Sequence, residues 1–195
     1  MAGHPKTAIG AFIVGISCVG LLIVFFTPVS GAANRSQGTL EVRLKDHREA
    51  IGDFSRLELA IDRIAISPKA GLMFWQVAWN HIAPSVKSLD LTQYTGDKSI
   101  AVLRSSVDAG SFDGVHLKLK GVKGILKRDQ RSVKVKNLVG PIKLSFEILP
   151  QRATVIILDL MVLDMSDHPP RAYELAVKGY ELYTNGKLID RIPPG

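Results

Sequence analysis

Hydrophobic and polar residues alternate along most of this chain. In Gly38–Asp46, Leu40, Val42 and Leu44 point one way and Glu41, Arg43 and Lys45 the other, the period-2 pattern of a half-buried strand. Leu57, Leu59 and Ile61 repeat it, then the set resumes out of phase as Ile64 and Ile66. The slip at Asp62–Arg63 predicts a bulge or a turn between two short strands. Val115, Leu117 and Leu119 mark a further strand. Val133 and Val135 point inward with Lys134 and Lys136 outward, and Ile142, Leu144, Phe146 and Ile148 mark another. Residues 153–165 form an almost unbroken apolar run, as expected of a central strand covered on both sides. Residues 171–192 supply one or two more strands, with Asn185–Gly186 as a hairpin turn that needs positive φ. After residue 35 the nearest approach to a helical period is one turn near Leu89–Tyr94. Short strands with Gly, Asp and Asn turns predict an all-β fold, an antiparallel β-sandwich.

The N-terminal pattern is different. From Ala8 to Phe26 run 19 residues without a charge. As a helix they span about 28 Å, against a hydrocarbon core of roughly 30 Å. The apolar region of a signal peptide is usually about 7 to 15 residues, so length favours a retained transmembrane helix. The flank "TPVSGAA" favours cleavage instead, because Ser30 and Ala32, or Gly31 and Ala33, have cleavage-like spacing after the helix-breaking Pro28. The expected organisation is a cytoplasmic tail at 1–7, a transmembrane helix (or signal peptide) at 8–27, a linker at 28–37 and an extracytoplasmic domain at 38–195. Lys6 and the free amine would hold the tail in the cytoplasm. Ala11 and Gly15 have the small-xxx-small spacing that lets a neighbouring helix approach, although small residues are common in any membrane helix. Cys18, the single cysteine, lies inside this segment without a lipoprotein motif around it. The body therefore has no disulfide and no thiolate metal site.

Charge adds a surface to this picture. Formal net charge is +7, and only Lys6 of the basic residues precedes Arg35. A basic body points to anionic lipid, an acidic polymer or an acidic protein, and export makes nucleic acid the least suited partner. Lys118, Lys120, Lys123, Lys127, Arg128, Arg131, Lys134 and Lys136 cluster with only Asp129 opposing them. If the two strands pair through residues 126–131, Lys118, Lys120, Lys134 and Lys136 form one positive sheet face. Like charges facing each other are unfavourable, so a counter-charge from anionic headgroups or an acidic partner is expected. The plainer alternative is a solvated face that protects an edge strand from sticking. Trp75 and Trp79, in "GLMFWQVAWN", are candidates for an aromatic contact with a sugar or the membrane surface. The plainer reading makes one a core residue and the other a half-exposed loop residue.

Catalytic chemistry finds no signature. Asp159, Asp164, Asp167 and His168 lack calcium-loop or His-Glu-x-x-His spacing and read as a polar turn before Pro169–Pro170. Asp46–Glu49 and Ser105–Ser106 lie in no nucleophile elbow, and no Gly-rich loop cradles a phosphate. No metal, cofactor or enzymatic activity is expected.

The order of pieces is nevertheless distinctive: "GTLEVRLKD", Trp79, "SLDL", "VDAGSFDGVHLKL", a basic hairpin, "IKLSFEI", "VIILDL" and "AYELAV". Over roughly residues 38–183 it resembles a bacterial and archaeal exported domain of unknown function with a predicted prealbumin-like (transthyretin-like) β-sandwich. Asp108–Gly114, leading into the strand of Val115, carries the most specific part. The chain departs from that pattern where Asp46 is followed by His47–Arg48 rather than Ala-Pro, and where Met161 replaces a second alternating acid after Asp159. The resemblance implies fold and cell-envelope location, with no catalytic residues. The expected function is a non-enzymatic, membrane-anchored binding or assembly subunit of a larger membrane complex. The alternative is a binding module for an acidic glycan or other anionic envelope ligand.

Overall fold

The computed structural model describes residues 36–69, 78–165, 167 and 173–192. The chain divides into two units, residues 1–34 and 35–195. The predicted transmembrane helix, with Ala11 and Gly15, lies outside the described residues, as does Trp75. Among the described residues no helix is long and apolar enough to cross a membrane.

The second unit is all-β. Its strands are β1 (Gln37–Asp46), β2 (Phe54–Pro68), β3 (Asn80–Ile82), β4 (Ser88–Asp90), β5 (Ile100–Asp108) and β6 (Gly110–Leu126), then β7 (Ser132–Lys134), β8 (Lys136–Asn137), β9 (Ile142–Ile148), β10 (Ala153–Asp164), β11 (Tyr173–Thr184) and β12 (Lys187–Ile192). Short 3₁₀ turns at Ala50–Asp53 and Leu91–Gln93 are the helical content of the described residues. The second is the single turn expected near Leu89–Tyr94, capped by the Asp90 carboxylate, which accepts from the Thr92 N–H.

Two six-stranded sheets form. The first runs β12-β11-β10-β1-β5, with β8 added to β11; the second runs β3-β2-β6-β7, with β4 on β2 and β9 on β6. The inward residues of both sheets share one hydrophobic core. Leu40, Val42 and Leu44 of β1 are fully buried in it, each contributing about 1.5–3 kcal/mol relative to exposure. The phase slip in β2 is a bulge, not a turn: Ile61 pairs with Leu119 and Arg63 with Lys118, leaving Asp62 unopposed. Asn185 and Gly186 both take positive φ and close the β11–β12 hairpin.

The expected antiparallel sandwich needs correction. The first sheet is mixed, because β1 pairs with β10 in parallel and β8 pairs with β11 in parallel, whereas the second is antiparallel throughout. The central position of β10 is as predicted, but its outward side chains, Ile157 and Met161 among them, are only half-buried, since a second sheet covers one face alone. Near the start of β1 the chain passes so close to the β9–β10 connection that a Cβ on Gly38 would run into the Leu149 carbonyl and the Ile148 side chain. Only glycine fits that crossing.

Candidate functional site

The basic hairpin forms as the sequence pattern requires. Leu126 N–H donates to the Arg131 carbonyl at 3.0 Å, and Gln130 N–H donates back to Leu126 O at 3.1 Å. Gln130 takes positive φ, and the Asp129 carboxylate accepts from Arg131 N–H. Asp129 also lies 3.6 Å from Arg128 and 3.8 Å from Arg131, so the tip is partly neutralised. Lys127 follows the hairpin strand, its N–H donating to Asp53 O.

Register decides which cations meet. Lys123 and Lys134 stand directly opposite each other, both exposed. Neither has an ion-pair partner among the described residues. Lys118 faces Arg63 across the β2–β6 ladder, and Lys120 lies 3.9 Å from Asp62. Arg63's hydrogen bond, with the charges of Lys120 and Lys118 behind it, holds the Asp62 carboxyl below its ordinary range. Glu58, which opposes Lys123 on β2, pairs with Arg56 at 3.3 Å.

The four-lysine face predicted from Lys118, Lys120, Lys134 and Lys136 therefore needs correction. Val135 turns into the core, and the chain changes sheets there. Lys136 joins β11 beside Glu174, with Nζ 3.1 Å from Oε1. A bulge at Lys120 shifts the phase of β6, so Lys123 takes the place beside Lys134 that sequence spacing gave to the even-numbered lysines. Where the two sheets part, a groove of about 880 Å³ opens. Leu119, Val122, Val135 and Tyr173 supply apolar wall, and Lys123 and Lys134 stand over it.

Trp79 sits half-buried at the opposite end of β6. Its ring meets His116 edge-on at 6.1 Å and covers Gly114. Burial, and then Lys118, push the His116 imidazole below its usual pKa. Another cavity, of about 610 Å³, lies beyond the stacked Phe112 and Phe146 rings. All the exposed large apolar side chains among the described residues, Leu138, Leu188, Ile189 and Ile192, lie on β12 or just before β9. Leu138 and Ile192 share one shallow cavity.

A cluster not foreseen from the sequence covers the outer face of the first sheet. Lys45 Nζ lies 2.9 Å from Glu181 and 3.8 Å from Asp159, and His47 Nδ1 lies 3.3 Å from the same Asp159 oxygen. Burial raises Glu181, but the hydrogen bonds from Tyr183 and Lys45 outweigh it and leave its carboxyl below the usual range. Asp159 thus sits on β10, within the strand expected over residues 153–165, and takes part in an ion-pair network there. The signal available was the alternation itself, which puts Lys45 and Asp159 on outward faces; their adjacency depends on the β1–β10 register. Among the described residues no three His, Cys, Asp or Glu side chains come together in a metal-binding group.

The fold is thus that of a two-sheet β domain with a cationic groove at one sheet edge. A family model described as Domain of unknown function (DUF4382) matches residues 37–173. The match covers more than half of the chain, which belongs to this family. No curated protein and no solved structure matches it.

Proposed function

We propose that this chain is a non-enzymatic binding or assembly subunit of a membrane complex, exported and held by the helix at 8–27, with the β domain outside the cytoplasm. The exported location and a prealbumin-like variety of sandwich belong to this proposal, the latter supported by the two-sheet core. The observation that carries the reading is the Lys123–Lys134 pair. Two exposed like charges directly opposite each other destabilise a bare hairpin, and a partner that brings negative charge relieves the repulsion. The exposed Leu188, Ile189 and Ile192 on edge strand β12 support a protein contact as well.

Extraction of native membranes with mild detergent should recover the chain with stable companions and with an intact mass that includes Ala8–Phe26. Recovery as a lone monomer, or with a start near Ala33, would count against the anchored subunit and favour the anionic-glycan module.

A further inference from the structure

The second edge of β6 is partnered in two separate pieces. β9 covers Gly110–Val115, and β7 covers Lys123–Ile125. Between them, from His116 to Val122, no strand pairs with this edge among the described residues. At the upper end, the half-buried His116 packs against the Trp79 ring. The segment that could have continued β7 along the edge changes sheets at Val135 and adds Lys136–Asn137 to β11.

Next to the hairpin, the backbone of Val122 is turned to this open edge. Leu126 donates its N–H across the hairpin to Arg131. Alternate residues share one edge, so Gly124 and Val122 present their amide and carbonyl groups to the same side. Gly124 faces Val133 of β7, and Val122 faces the groove. Gly121 beside it has open space where a Cβ would stand, the kind of strand position at which a second backbone can approach closely.

We propose that this edge accepts an extended acidic peptide segment of a partner protein as an added strand. The inference rests on the reading of the chain as a binding subunit and specifies how one partner docks. Backbone N–H and C=O groups of the peptide bond the Leu119–Val122 edge. Alternate side chains then serve two surfaces. Acidic ones meet Lys120, Lys123 and Lys134, and apolar ones pack on Leu119, Val122 and Tyr173. A strand of about five residues, roughly 17 Å long, fills the gap. A glycan or lipid headgroup would satisfy the lysines but not the row of backbone groups, which is why the geometry favours a peptide.

The test uses the full chain in mild detergent and a fluorescein-labelled hexapeptide alternating Glu and Val, read by anisotropy. Two further peptides carry N-methyl groups on alternate amides, one in each phase, with charge unchanged. The expected result is salt-sensitive binding of the unmodified peptide, weakened about tenfold or more by one N-methyl phase, since losing two or three hydrogen bonds costs that much. The K123E/K134E double variant, at two exposed positions, should weaken it similarly, with an unchanged circular dichroism spectrum. Equal binding of both methylated phases overturns strand addition while leaving a purely electrostatic contact. Absence of binding by the unmodified peptide at low salt overturns it too. Copurification from membranes reads the subunit assignment separately, so the two can fail independently.

Discussion

Asp46 gives the sharpest stability test. It ends β1 with its side chain 1% exposed. Its Oδ2 accepts the Arg48 N–H at 2.7 Å, and its Oδ1 is buried with no hydrogen-bond partner. Burial raises its pKa from 3.8 to about 6, with the backbone hydrogen bond opposing and Asp159 adding to the rise. That rise corresponds to about 3 kcal/mol. The folded state binds this proton more tightly than the unfolded state. Its contribution is therefore full below about pH 4 and is lost as pH rises through about 6. Asp46→Asn cannot ionise, yet its amide oxygen can still accept from Arg48. Burying the new N–H₂ without a partner costs about 1 kcal/mol or more. The variant should thus exceed the parent by about 1–2 kcal/mol at pH 8 and fall level with it or below it near pH 4. Urea unfolding followed by tryptophan fluorescence from pH 4 to 8 measures the difference, which cancels the pH dependence of groups that do not interact with Asp46. A difference that stays constant across this range would falsify the assignment of a raised pKa to Asp46.

Other outcomes follow from packing and charge. Gly38→Ala should destabilise by about 1–3 kcal/mol or more, because the Leu149 carbonyl belongs to backbone that cannot swing away; an unchanged melting temperature would show that the crossing is looser than described. Phe54→Ala removes a fully buried ring that meets Tyr173 edge-on at 4.7 Å, and a loss of about 3–5 kcal/mol is expected by denaturant titration. Lys45→Met leaves the buried Asp159 and the half-buried Glu181 without their shared ammonium. It should cost about 3 kcal/mol at neutral pH, and a neutral result would mean that water already satisfies both carboxylates.

The strands were legible from local pattern. Leu40, Val42 and Leu44 turned inward, the Asn185–Gly186 turn formed, and the slip at Asp62 became a bulge. Each of these depends on a few neighbouring residues, since alternation fixes which face a side chain takes and only certain residues tolerate positive φ. The basic hairpin was legible for the same reason, with its turn within residues 126–131.

Partner choice was not legible. Sequence spacing put Lys134 and Lys136 on one face, but the chain leaves the hairpin at the buried Val135 and crosses to the other sheet. That crossing pairs Lys136 with Glu174 and leaves part of the β6 edge unpaired, while the hairpin register sets Lys123 opposite Lys134. In the same way, alternation made Lys45 and Asp159 outward residues, and only the registers of β1 and β11 on β10 brought them together with His47 and Glu181. The sequence by itself determined where the strands lie and which side of each is apolar, because those choices are local. The tertiary structure decided which strands adjoin, because that is set by how distant apolar faces close one common core.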